Sequence, residues 1–252
     1  MKTTDELWYE VSGGIATITI NRPDARNALN SVVREGIRTA LNAFTKNDQA
    51  KVLIITATGN VAFSAGADLK EMAEQHLTIP PDDFIPDLVT HKPVIAAVNG
   101  AALAGGFFLA QQADLVIAAD QATFGITEAR YGRGAPWAAP LPLLIPPRVA
   151  LELLLTARPI SALRAKEVGL VNAVVSFDEL TVASRALAQQ IASNAPLSVA
   201  AGKAMVARIL ENVLGDGREM AKAIWNPVYL SEDAQEGPRA FKEKRPPHWQ
   251  GH

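Results

Sequence analysis

The chain has no cysteine and only four histidines among its 252 residues. The first absence excludes a disulfide framework, a thiolate nucleophile and any Cys-ligated zinc or iron-sulfur centre. The second leaves little for an imidazole metal site. His76 and His91 stand apart, and the i, i+4 pair His248 and His252 sits beside Gly251 in the tail, so no metal is expected. Charge of one sign is also missing: 24 Lys and Arg against 26 Asp and Glu leave a net charge of −2. Nucleic-acid binding needs a basic patch or stripe against the phosphate backbone and is not expected. Nor is there a long hydrophobic run. The stretch Val94–Ala110 is broken by Asn99, Gly100, Gly105 and Gly106 and falls short of the roughly 20 apolar residues of a spanning helix. It reads as core, and no membrane partner is expected. The opening MKTTDELWYE carries early acids and no apolar segment, which predicts a cytoplasmic setting rather than a secretory signal.

What is present is ordinary core-forming material, 48% hydrophobic residues. At about 100 to 200 residues per domain, the length suits one large domain or one with an appendage. Leu7–Val11 and Ile15–Ile20, separated by Ser12-Gly13-Gly14, predict a hairpin. The three-four spacing of Val32, Val33, Ile37, Ala40, Leu41 and Phe44 predicts a helix capped by Asn30 or Ser31. Strand, glycine loop and helix then occur twice. Val52–Thr56 leads into the loop Ala62-Phe-Ser-Ala-Gly66-Ala-Asp-Leu69, and Pro93–Val98 leads into Asn99–Gly106 and a helix over Phe107–Ala113. Leu115–Ala118 is a further strand. Gln75–Asp87, with Pro80, Pro81 and Pro86, predicts a surface loop that covers something. Helices follow over Val149–Thr156 and Ser161–Val168, then a strand over Val171–Val175. Ser176 to Glu179 is a capping box that opens a helix to about Ser193. Leu197–Glu211 and Gly217–Tyr229 are helical, so the pattern divides into an α/β unit over 1–195 and a helical region over 196–252.

The two glycine loops carry the chemistry. Each can turn sharply and leave backbone N–H groups without internal acceptors. Two such donors converging on one point make an oxyanion hole, where a single donor is worth about 2.7 to 4 kcal/mol. The glycine spacing does not satisfy G-x-G-x-x-G, which disfavours a dinucleotide fold.

Four segments together resemble the crotonase family, the enoyl-CoA hydratases and isomerases. They are Arg22-Pro-Asp-Ala-Arg26-Asn-Ala-Leu29-Asn, Phe63-Ser-Ala-Gly-Ala-Asp-Leu69, Ala97-Val-Asn-Gly-Ala-Ala-Leu-Ala-Gly-Gly106 and Phe124-Gly-Ile-Thr-Glu128. The likeness continues through Ala150–Thr156, Ala165–Asn172 and Ser231–Phe241, nearly the whole chain. It implies an α/β fold, a crotonase-like spiral of strand-strand-helix units with a helical C-terminal region, assembled as a homotrimer or a dimer of trimers. It implies an acyl-CoA thioester as substrate, with its carbonyl between the N–H groups of Ala67 and Gly105, and no cofactor beyond the CoA itself. By the same resemblance Ala62, Ala65, Asp68 and Leu69 surround adenine and pantetheine, and Arg26 lies near the CoA phosphates or is simply a solvated charge.

The sequence also departs from the family. Its hydratases carry two glutamates over a shared water, one in the helix after the glycine loop and one in the F-G-x-x-E segment. Here the first position is Phe108, and only Glu128 remains. A glutamate buried against Phe108 and Trp137 should have its pKa raised, as a general acid or base near neutrality requires. Pairing with Arg130 or Arg133 is the structural alternative. The segment Gly134-Ala-Pro-Trp137-Ala-Ala-Pro140 predicts a reshaped acyl pocket lined by Phe108 and Trp137. One carboxylate favours double-bond isomerisation. Hydration or hydratase-lyase chemistry by Glu128 alone, a CoA-binding protein that has lost its chemistry, and a serine hydrolase using Ser64 are the alternatives.

Overall fold

In the computed structural model, which describes residues 4–74 and 84–251, the chain begins with the expected hairpin of β1 (Leu7–Ser12) and β2 (Ile15–Ile20). Helix α1 (Ser31–Lys46) starts where the Asn30 side chain accepts the Val33 N–H at 3.0 Å. Three strand-strand steps follow: β3 (Val52–Ala57) with β4 (Ala62–Ser64), β5 (Val94–Val98) with β6 (Ala101–Leu103), and β7 (Leu115–Ala119) with β8 (Thr123–Gly125). Helix α2 (Leu69–Glu74) closes the first and α3 (Gly105–Gln111) the second. After α4 (Leu141–Leu144) and α5 (Pro147–Thr156) come β9 (Ile160–Ser161), α6 (Ala162–Glu167) and β10 (Ala173–Val175). The last four helices are α7 (Leu180–Ala192), α8 (Pro196–Leu214), α9 (Gly217–Leu230) and α10 (Asp233–Glu243).

The long strands form one sheet in the order β1-β2-β3-β5-β7-β10, parallel except for the opening hairpin. Its central strands are apolar on both faces because both are covered, as parallel sheets require. Leu53 and Ile55 of β3 enter the main core with Phe44, Phe63 and Phe107, while Val52 and Ile54 meet Leu180 and Ala188 of α7 on the other side. The short strands form a second sheet, β4-β6-β8-β9. Each step therefore deposits one long and one short strand, and the chain winds forward as a spiral of ββα units.

The segment Asn99–Gly106, read from sequence as a loop, contains β6. The three residues Ala101, Ala102 and Leu103 are too short a run to carry a period-two signal, and only pairing with β4 and β8 reveals the strand. Most of the proline-rich segment, residues 75–83, lies outside the described residues, as do His76 and His252. No helix of the described residues is long and apolar enough to cross a membrane.

Helix α8 buries none of its side chains, but α9 and α10 return to the core. A methyl group at Gly237 of α10 would overlap the Tyr131 carbonyl, and one at Gly132 would overlap the Asp233 carbonyl, so helix and turn meet backbone to backbone. Buried Glu236 fastens the tail there. It accepts from Arg245, Arg239 and the His248 N–H, and hydrogen bonds led by those of Arg245 hold its carboxyl well below the usual range. Gly237→Ala is expected to lower the urea midpoint by an amount equivalent to about 1–3 kcal/mol. An unchanged midpoint would mean that α10 can move away freely.

Candidate active site

The first glycine loop follows β4. Gly66 has φ +92, a region that side chains disfavour, and its carbonyl accepts the Leu29 N–H at 2.8 Å. A Cβ on Gly66 would lie 2.9 Å from the Ala104 Cβ and 3.0 Å from the Gly105 nitrogen. The two loops therefore touch at this glycine. In the second loop Ala104 takes φ 50 and ψ −123, strained for an L-residue, and is fixed there by its N–H bond to the Gly125 carbonyl at 2.9 Å. Gly105 then opens α3. Among the described residues, neither the Ala67 nor the Gly105 N–H has an acceptor, and both residues line one cavity of about 2460 Å³.

Glu128 lines the same cavity. It begins a 3-10 turn, Glu128–Tyr131, that follows β8 and ends at Gly132 with φ 61. Its Oε1 accepts the Trp137 indole N–H at 2.9 Å, whereas its Oε2 is shut off from solvent and has no hydrogen-bond partner. Burial pushes its pKa from 4.5 up to about 7, against a smaller downward pull from hydrogen bonds that include the indole N–H. The expected alternative, pairing with Arg130 or Arg133, does not form among the described residues. Arg133 instead lies 5.4 Å above the Tyr229 ring, and the Tyr229 hydroxyl donates to the Gly134 carbonyl at 2.9 Å.

Of the residues singled out in the sequence, Arg26, Ala65, Ala67, Asp68, Leu69, Gly105, Phe108, Glu128 and Trp137 line this cavity. Ala62 does not. It is buried in β4, with its carbonyl taken by Asn27 at 2.7 Å. The Asp68 side chain is already engaged, with Arg22 at 2.9 Å and as the cap of α2 through the Lys70 N–H at 3.1 Å. Partial burial pushes its carboxyl up, but those bonds outweigh it and hold the carboxyl below the usual range. Arg26 is exposed. Ser64 is completely buried with its hydroxyl accepting the Gly66 N–H, and His91 and His248 are exposed, so among the described residues no histidine stands beside Ser64 as a base. Among the described residues no cluster of three His, Asp or Glu could hold a metal.

Two contributors escaped the sequence reading. Asn27 is buried, and its side chain ties the Arg22 N–H to the Thr58 and Ala62 carbonyls, fixing the segment that leads to α1. Its φ of +53, directly after Arg26 at +51, suits asparagine better than most residues, and the Arg-Asn-Ala order was the available signal. Tyr229 arrives from α9, about a hundred residues after Glu128, and nothing local announces it.

An α/β spiral that brings two backbone N–H groups without acceptors and one buried carboxyl to a single cavity has the parts of an enzyme site. The comparisons make that reading specific. The enoyl-CoA hydratase/isomerase family model matches residues 10–252. A carnitinyl-CoA dehydratase from Salmonella typhi is 40% identical over 98% of this chain and 99% of its own. The crystal structure of a carnitinyl-CoA hydratase from Mycobacterium avium matches with a TM-score of 0.90 and 38% identity, over 99% of this chain and all (100%) of that one. An enoyl-CoA hydratase from Mycobacterium tuberculosis matches with a TM-score of 0.82 and 35% identity, over 90% of this chain and 100% of that one. The chain belongs to the crotonase, or enoyl-CoA hydratase/isomerase, family and is an enzyme of that family.

Because the folded protein raises the Glu128 pKa, the stability that goes with its neutral form is fully present below about pH 4.5 and is lost as pH rises through about 7. Glu128→Gln, which cannot ionise, should therefore melt higher than wild type at pH 8.5 and nearly level with it at pH 4.5. The gap corresponds to about 3 kcal/mol at most. Equal melting differences at both pH values would contradict a buried ionisation.

Proposed function

We propose that the protein acts on an acyl-CoA thioester by forming and redirecting an enolate, with Glu128 as the sole proton carrier. The observation that supports this best is the unpartnered, buried Oε2 of Glu128, a residue that lines the same cavity as Ala67 and Gly105, whose N–H groups have no acceptor among the described residues. A thioester carbonyl between those donors gains most as its oxygen becomes negative, which lowers the barrier to losing the α-proton. In double-bond isomerisation Oε2 takes the proton from C2 of a 3-enoyl thioester and the electrons move to oxygen. The same carboxyl then returns the proton at C4, leaving the 2-enoyl isomer. Phe108 stands where the family's hydratases place a second carboxylate, and its ring packs 5.6 Å from that of Trp137, which favours excluding water over activating it.

A second reading has support of its own, since relatives at 38–40% identity are named as carnitinyl-CoA dehydratase and hydratase. In that chemistry Glu128 alone would move both the proton at C2 and that of the departing or arriving water. Turnover of 2-enoyl- and 3-enoyl-CoA thioesters separates the two. Isomerisation of the 3-enoyl compound faster than hydration of the 2-enoyl one supports the first reading, and the reverse supports the second. In either case Glu128→Gln should lose at least about 10²-fold in kcat while calorimetry shows acetoacetyl-CoA still bound. A variant at wild-type rate would remove Glu128 from the mechanism. Phe108→Glu should raise hydration relative to isomerisation.

We also propose that residues 196–252 assemble the chain into a trimer or dimer of trimers. Met205, Val206, Ile209 and Val213 of α8 and Met220, Ile224 and Leu230 of α9 are exposed, more apolar surface than one copy covers. Trp225 of α9 does not add to this surface, because it packs against the main core. Light scattering at micromolar concentration should give at least three chains, and a monomer would contradict this assembly.

A further inference from the structure

We infer that Trp137 is a positioning residue for proton transfer: its indole N–H, held by helix α3, occupies Oε1 of Glu128 and leaves Oε2 as the oxygen that takes and returns the proton. The inference rests on the proposed role of Glu128.

A carboxylate has two equivalent oxygens, and only a fixed neighbour makes them different. Here one oxygen has a donor at 2.9 Å and the other has none. The donor is itself anchored at three points on one helix. The Trp137 ring meets Phe107 edge-on at 5.7 Å and lies tilted against Phe108 at 5.6 Å, and its carbonyl accepts from the Gln111 amide at 3.3 Å. Phe107 is completely buried and also packs on Phe124 of β8, the strand that leads to Glu128. Helix α3 starts at Gly105, one of the proposed oxyanion donors. A single seven-residue helix thus sets the position of one oxyanion donor and, through Trp137, the position of the base. Phe108 then has a use beyond displacing water, because it braces the indole.

Several charged and titratable groups near Glu128 have partners other than its carboxyl. Arg133 and Tyr229 stack on each other, and burial, opposed by Arg133 and reinforced by the Glu128 charge, pushes the Tyr229 hydroxyl up to about 12. Arg130 lies on the same turn and lines the cavity, and Arg22 is paired with Asp68 across it. On α10, Glu236 is held by arginines and Asp233 accepts the Gln250 and Gly251 N–H groups. Helix α3 carries no ionisable side chain. Backbone N–H groups of Glu128 and Thr127 also oppose burial at this carboxyl, and the indole N–H is the side-chain donor that joins them, so its loss should move the titration to higher pH.

The test is Trp137→Phe, which keeps the aromatic wall and removes the N–H. The carboxyl of Glu128 can be followed by carbon-13 NMR in the glutamate-labelled protein, with its signal assigned by its loss in Glu128→Gln. The expected result is a titration midpoint raised by about one pH unit. The kcat on 3-enoyl- or 2-enoyl-CoA should fall about tenfold, with KM little changed and the acid limb displaced in the same direction. Phe108→Leu, which loosens the brace but leaves the N–H, should move both readouts the same way by less, and it carries the test if Trp137→Phe does not fold. An unmoved titration and pH profile would overturn the inference and leave Trp137 as a pocket wall. If Glu128→Gln itself kept wild-type turnover, the proposed base would fall first. A dead Glu128→Gln beside an unmoved Trp137→Phe would overturn only the positioning role.

Discussion

The approach of Gly66 to the Gly105 nitrogen is the constraint on which the rest of the site depends. There is no room for even one methyl group between the two loops, since a Cβ there would sit 2.9–3.0 Å from Ala104 and Gly105. Such closeness demands that each loop end a strand of the second sheet, because β4 and β6 are hydrogen-bonded neighbours and deliver their C-terminal ends side by side. The third neighbour, β8, fixes Ala104 through the Gly125 carbonyl and then releases the chain into the turn that bears Glu128. Three short strands therefore place both proposed oxyanion donors and the proposed base. The long-stranded sheet beneath supplies the burial that makes those short strands affordable.

Much of this was legible in the sequence, for identifiable reasons. The hairpin, α1 and the capping box at Ser176 rest on local rules, alternation, three-four spacing and side-chain caps, and each formed where those rules place it. The cavity residues Ala67, Gly105 and Glu128 were found through motif likeness, which carries long-range information that periodicity lacks. Strand β6 was invisible because a three-residue run, Ala101 to Leu103, has no pattern of its own. Ala62 was assigned to the ligand, but its buried carbonyl serves Asn27. Asn27 and Tyr229 matter through contacts with distant segments, and a single residue seldom advertises such contacts.

The electrostatics around Glu128 follow from the phenylalanine at position 108, where the resemblance implies a second glutamate in the family's hydratases. A second acid beside Glu128 would couple the two titrations and require costly burial of like charge. Phe108 removes that problem and replaces it with aromatic packing against Trp137. The carboxyl that remains is raised to about 7 by burial, so the protein gives up some stability at alkaline pH to hold a group suited to the proton transfer proposed for it.

The central claim is that Glu128 exchanges the α-proton of a thioester whose carbonyl is held by backbone donors. It is tested most directly by incubating the protein with butyryl-CoA in heavy water and following the C2 protons by NMR. A saturated chain can neither add water nor move a double bond, so exchange reports the enolate alone. The account predicts C2 exchange catalysed by the wild type and reduced at least about 10²-fold in Glu128→Gln. Exchange that persists unchanged in the variant would contradict it.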